Sequence, residues 1–189
     1  MSTQTETTKQ RARLIVLTYP FALLSISLLL NLFAFKVKPL APALPSAEIY
    51  AALVIAAVLL LVNHTWLMTT TELTRSRFNM HATPEEWAAS GRERREAARE
   101  GLEELERRHN AHRNVTENSV YFVFLTLLLA MASPTMLAAF AWIVGFAVAR
   151  LGYTFSYLAG NSDIRGLFMS LSLIAIYGMA SYLAISLVV

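Results

Sequence analysis

The feature that most constrains this chain is the absence of charge over two long stretches. No Asp, Glu, Lys or Arg occurs from Asn118 to Ala149, and none from Gly166 to Val189. A water-soluble domain of 189 residues cannot hide that much apolar length in one small core. Composition agrees: 15% of the residues are charged, against about 25% in a typical soluble domain. The chain therefore reads as an all-α integral membrane helix bundle.

Five apolar stretches divide it: 14–35, 49–70, 115–134, 136–158 and 166–189. Each is about 20 residues, enough to cross ~30 Å of hydrocarbon as a helix. The first follows Lys9, Arg11 and Arg13, as a signal peptide would, but its apolar run exceeds a signal core of roughly 7–15 residues. Lys36 and Lys38 close it like an interface anchor, so it is expected to be retained. Five spans place the N-terminus, segment 72–113 and turn 159–165 on one side. That side carries 14 of the 16 Lys and Arg, with Arg150 assigned to its nearer end. The excess of basic residues predicts a cytoplasmic N-terminus and an outer C-terminus. Residues 1–46 form a tail and one transmembrane helix; residues 47–189 form a four-helix membrane domain interrupted by the charged loop 72–113.

A formal charge of +3 suggests nucleic acid, yet segment 72–113 balances nine Arg against nine Glu. Without an unopposed basic patch, no nucleic-acid partner is expected. The chain has no cysteine, which excludes disulfides, thiolate zinc sites and a cysteine nucleophile; any thiol chemistry needs a thiol from outside. His109 and His112 are three apart, but no second acidic helix completes a metal site, and none is expected. His64 reads as a partnered polar group within the second span. In the loop, Thr83-Pro84-Glu85-Glu86 reads as the cap and first turn of a short helix. Arg92–His112 alternates Arg and Glu at four-residue spacing, predicting a solvated helical extension of the third span.

The residues able to carry chemistry are the polar ones that membrane helices avoid. Arg113 and Glu117 are four apart, with Asn114 and Tyr121 beside them; Arg150, Tyr153 and Tyr157 share one face of the fourth span; Arg165 opens the fifth. Arg150 lies about 12 Å inside its span, and Glu117 is the nearest partner by register for it or for Arg113. Removing Arg150 from such a pair would cost about 3–5 kcal/mol. Two readings stay open: a pocket for a small anionic polar molecule, or a salt-bridge network fixing helix packing.

The segment Glu106-Arg-Arg-His-Asn-Ala-His-Arg-Asn-Val-Thr-Glu-Asn118 resembles the opening of the second helix in the MAPEG family, membrane-associated proteins in eicosanoid and glutathione metabolism. Arg150-Leu-Gly-Tyr-Thr-Phe-Ser-Tyr157 with Ile164-Arg165 is similar to the family's third- and fourth-helix signature, nearest in motif to the microsomal prostaglandin E synthase and glutathione transferase branches. Arg75-Ser-Arg77 with Pro84-Glu-Glu86 resembles its cytosolic loop. The resemblance covers about residues 47–189 and implies a four-helix core, here preceded by one extra transmembrane helix. It implies a homotrimer binding glutathione between subunits near the cytosolic face. Glutathione contacts would fall to Arg75, Arg113, Asn114, Glu117, Arg150, Tyr153, Tyr157 and Arg165. Catalytic roles would fall to Arg165, as thiolate stabiliser, and to the accessory loop acid Glu86.

The implied activity is that of a glutathione-dependent transferase, a peroxidase or a prostaglandin E synthase-type isomerase. Its lipophilic substrate would arrive from the bilayer among membrane lipids. Asn110 stands where the family commonly carries a glutathione-binding arginine, and Gly166 and Met169 replace hydroxyl-bearing residues. The Gly166 and Met169 changes weigh against prostaglandin-specific chemistry, while Asn110 suits a thiol other than glutathione or the alternative, a non-catalytic, lipid-binding scaffold of the same fold.

Overall fold

The computed structural model describes the backbone of residues 2–189 and the side chains from Thr8 onward. Helix α1 (Ser2–Leu29) runs into a π-helical turn, Leu30–Phe35. It is followed by α2 (Ala47–Arg77), the short α3 (Pro84–Ala89), a 3₁₀ turn at Arg94–Glu96 and α4 (Arg99–Met131). Next, α5 (Met136–Ala139) continues through a π turn, Phe140–Val144, into α6 (Gly145–Leu158), and α7 (Ser162–Ser186) closes the chain. Five helices are long and apolar enough to span a membrane: Thr8–Phe35, Ala47–Arg77, Arg99–Met131, Met136–Leu158 and Ser162–Ser186. The five expected spans and the all-α class are both present. Polar caps start the helices where the apolar runs break. The side chains of Ser46, Thr83, Thr135 and Asn161 each accept from a backbone N–H in the first turn that follows.

The helices α2, α4, α6 and α7 form the bundle, with α1 laid along α7. Phe122 of α4 stacks on Phe146 of α6 at 4.1 Å between centroids. Two glycines let helices α6 and α7 approach closely. A Cβ on Gly152 would lie 2.3 Å from the Phe168 ring, and one on Gly178 would lie 2.5 Å from the Trp142 ring. Only residues without side chains fit there, so these two points set the α6–α7 register.

The extra helix is docked by a polar stripe of Tyr19, Ser27 and Asn31, spaced eight and four residues apart. Ser27 Oγ donates to the Ile174 carbonyl at 2.9 Å, and Tyr19 Oη and Ser170 Oγ share a hydrogen bond at 2.8 Å. Asn31 is fully buried. Its Nδ2 donates to the Gly178 carbonyl and to Ser181 Oγ, both at 2.8 Å, and its Oδ1 accepts from Trp142 Nε1 at 3.0 Å. The Trp142 side chain lies in the core and the Tyr19 side chain at the contact between α1 and α7.

The charged loop departs from expectation in two respects. The helix predicted over 92–112 starts only at Arg99, because Gly91 turns left-handed (φ +69°) and Ala97 and Ala98 are extended. Arg92 and Glu96 therefore do not pair along a helix. From Arg99 onward the helix is packed rather than solvated. A Cβ on Gly101 would meet Phe78 at 2.7 Å, and Arg108 Nε donates to the Thr70 carbonyl at 3.1 Å. Helices α2 and α4 thus leave the apolar zone as a joined pair. The end of the bundle carrying Arg77, Arg99 and Arg165 is called the charged end below.

Candidate functional site

At the charged end, α7 begins just after α6 ends, and Asn114, Arg150, Tyr153, Tyr157 and Arg165 form a column there that runs from the buried Arg150 outward to Arg165 at the start of α7. Arg150 is fully buried, yet it forms no ion pair among the described residues. Its Nη1 donates to Asn114 Oδ1 at 3.0 Å and its Nη2 reaches Met169 Sδ at 3.5 Å, while Nε has no partner. The guanidinium lies 4.4 Å from the Tyr153 ring centroid and 5.9 Å from that of Phe146. Glu117, the partner anticipated from register, is exposed on α4 and pairs with neither Arg150 nor Arg113. The reason is rotational. Asn114 occupies the α4 face turned toward α6, and Glu117 points about 60° away at 100° per residue.

Tyr153 and Tyr157 sit 5.5 Å apart between centroids, and the Arg165 guanidinium lies 4.9 Å over the Tyr157 ring. Tyr157 and Arg165 line a cavity of about 230 Å³ with Glu103, Glu106, Arg107 and Asn110. Positions 103, 107, 110 and 114 fall on one helical face, a pattern legible in the sequence. Of these four positions, the family resemblance implies a ligand role for Asn114 alone. The turn beneath requires Gly160, with φ at +71°, and Arg107 Nη1 lies 3.1 Å from where its Cβ would be. Glu103 pairs with Arg99 at 2.8 Å and Arg107 with Glu104 at 3.4 Å, so Glu106 and Arg165 are the charges of the lining left without an ion pair among the described residues.

The remaining expected residues lie elsewhere. Arg75, on α2, pairs with Glu72, and its Nη2 approaches His109 Nε2 at 3.4 Å. Glu72, His109, His112 and Arg113 line a separate groove of about 440 Å³ between α2 and α4. His112 Nε2 meets His64 Nδ1 at 3.3 Å, the partner His64 was expected to need. Glu86 caps α3, its carboxylate accepting from the Ala82 N–H at 2.7 Å and the Thr83 N–H at 3.4 Å. Beside it, hydrogen bonds from its own N–H and from Thr83 hold the Glu85 carboxyl below the usual carboxylate range. A third groove of about 650 Å³, bordered by Arg75, Trp87, Arg92 and His109, lies under α3. One chain therefore brings together Asn114, Arg150, Tyr153, Tyr157 and Arg165. It keeps Arg75, Glu86 and Arg113 apart from them, with Glu117 exposed between the two sets.

The fold and the site define a multi-pass α-helical membrane protein with a cationic, aromatic site at one end of the bundle. Residues 50–185 match the MAPEG family, and the chain belongs to it. Members of this family are generally glutathione-related transferases and isomerases. The match leaves out all of α1, its connection to α2 and the first three residues of α2. No curated protein matches the chain.

Proposed function

We propose that this protein is a glutathione-dependent membrane transferase or peroxidase whose activating residue is Arg165. The observation that carries the reading is the Arg165 guanidinium laid over Tyr157 at the mouth of the 230 Å³ cavity. The lining suits a zwitterionic tripeptide: Arg107 and Arg165 can hold carboxylates or a thiolate, Glu103 and Glu106 an ammonium, and Asn110 and Tyr157 can hydrogen-bond. Glutathione would supply the thiolate nucleophile that the cysteine-free chain lacks. Arg165 would favour its ionised form, because a nearby cation lowers a thiol's pKa. The charged end would face the cytoplasm, where glutathione enters, and the lipophilic electrophile or hydroperoxide would arrive through the bilayer.

A homotrimer fits the separation of the two residue sets. Arg113 and Glu117 are exposed on α4 at the edge of the apolar zone, where unpartnered charge is costly. A second copy packed there would cover them and would bring its Arg75 groove toward the first copy's Arg165 cavity.

The test is ultraviolet thiolate absorbance of glutathione bound to the detergent-purified full chain, beside Arg165→Ala. The expected result is a thiolate signal at neutral pH that falls about tenfold in the variant while the oligomer persists. Absence of binding at millimolar glutathione would sink the enzyme reading and leave the scaffold.

A further inference from the structure

We propose that the 650 Å³ groove under α3 is a second binding site, separate from the Arg165 cavity, for a soluble phosphate monoester with an apolar body. This second site is independent of the glutathione reading. The groove joins two chemistries. Its floor is apolar, built from Met80, Pro84, Trp87, Leu102 and Leu105, while its rim sets Arg75, Arg92 and Arg94 against Glu93. A concave apolar surface of this size with a few placed polar groups is the common form of a small-molecule site.

The ion pairs decide which rim charges are available. Arg75 is paired with Glu72, and Glu93 accepts from Arg95 Nη2 at 3.0 Å. Arg92 Nη1 donates to the Asn79 carbonyl at 3.0 Å but meets no carboxylate among the described residues. The Arg94 side chain there has neither a hydrogen bond nor an ion pair. Two guanidinium groups without a carboxylate favour a ligand that brings two negative charges. A phosphate monoester carries them in one group, about −1.5 to −2 at pH 7, and its oxygens suit guanidinium geometry.

The walls are fixed by bonds within the loop itself. Trp87 Nε1 donates to the His81 carbonyl at 3.1 Å, with the two rings edge to face at 4.8 Å between centroids. Thr83 and Glu86 cap α3, and the bond from Arg92 to Asn79 ties the two ends of the loop together. Position selects a soluble ligand over a bilayer lipid. Leu105 and Leu102 precede the apolar stretch that opens at 115 by ten and thirteen residues of α4. Along the helix that is about 15 and 20 Å. Headgroups reach only about 5–8 Å past the hydrocarbon, so the chains of a bilayer lipid do not extend to this floor.

The experiment is isothermal titration of 1-naphthyl phosphate into the full chain in a nonionic detergent at pH 8, where the ester is a dianion. Binding at one site per chain is expected. Inorganic phosphate and 1-naphthol, each keeping half of the ligand's chemistry, should bind at least about tenfold more weakly. Arg94→Gln breaks no contact and should weaken the ester about tenfold. Affinity should also fall between pH 8 and pH 5, as the ester passes its second pKa near 6 and loses a charge. An Arg94→Gln titration that coincides with the wild type overturns the proposal, as does inorganic phosphate binding as tightly as the ester. Displacement by glutathione, or loss of binding in Arg165→Ala, would put the ester in the Arg165 cavity and overturn the separate site. In phosphatidylcholine nanodiscs, added phosphatidate should leave the titration unchanged; competition would give the groove to a bilayer lipid instead. No binding at millimolar ester removes this inference and leaves the glutathione reading standing.

Discussion

Asn31 and Arg150 are both fully buried polar side chains inside the bundle, and they are treated in opposite ways. Asn31 donates twice and accepts once, joining α1, α6 and α7 with its whole amide engaged. Arg150 carries a full charge and more donors, yet it has one oxygen, one sulfur and two ring faces around it. A satisfied amide in an apolar medium fixes helix rotation and has little left to offer a ligand. An under-satisfied cation makes the opposite compromise, which is where sites that favour an anion keep their potential. The difference teaches which buried polar group to assign to architecture and which to chemistry.

The largest effect that would sharpen this contrast is at Asn31. Asn31→Leu orphans Trp142 Nε1 and removes both donor bonds to α7, and it should cost about 2–3 kcal/mol in denaturant unfolding from detergent micelles. Thiolate absorbance should remain intact. A loss below about 0.5 kcal/mol would mean that α1 is held by apolar contact alone. Next comes Gly178→Ala, whose Cβ would crowd the Trp142 ring and should cost about 1–3 kcal/mol, read as a lower midpoint in the same assay. A neutral result would show that Trp142 can yield and that this contact does not set the register.

Arg150→Leu tests the other side of the contrast. Pairing with Glu117 would make it cost about 3–5 kcal/mol, but without an acid to strand, the variant should fall within about 1 kcal/mol of the wild type or exceed it. A thermal shift showing severe destabilisation would reveal a carboxylate partner supplied by another copy of the chain. The smallest change is Ser170→Ala, which removes the Tyr19 contact and should cost about 0.6 kcal/mol. A larger loss would place more of α1's docking near the charged end than the Asn31 cluster implies.

The five spans were legible because apolar length and the lack of charge over 118–149 and 166–189 are properties of contiguous residues. The family was legible for a similar reason: the spacing of Asn114, Glu117, Arg150, Tyr157 and Arg165 is carried within single helices. The packed extension of α4 was not, since alternating Arg and Glu describe a soluble helix equally well. Only the proximity of Phe78 to Gly101 reveals the α2 surface it covers. Nor was Asn114 legible as the partner of Arg150, or Arg107 as a wall of the cavity.

By itself, then, the sequence determined that the chain crosses a membrane five times as helices and presents its polar residues at one end. Spacing and hydropathy act locally, within a turn or a span. Which guanidinium is paired, which is left bare, and how the extra helix is held were decided only by tertiary structure. Those outcomes depend on helix rotation and register. Both are set by non-local close approaches such as Gly152 on Phe168 and Gly178 on Trp142, which no single segment encodes.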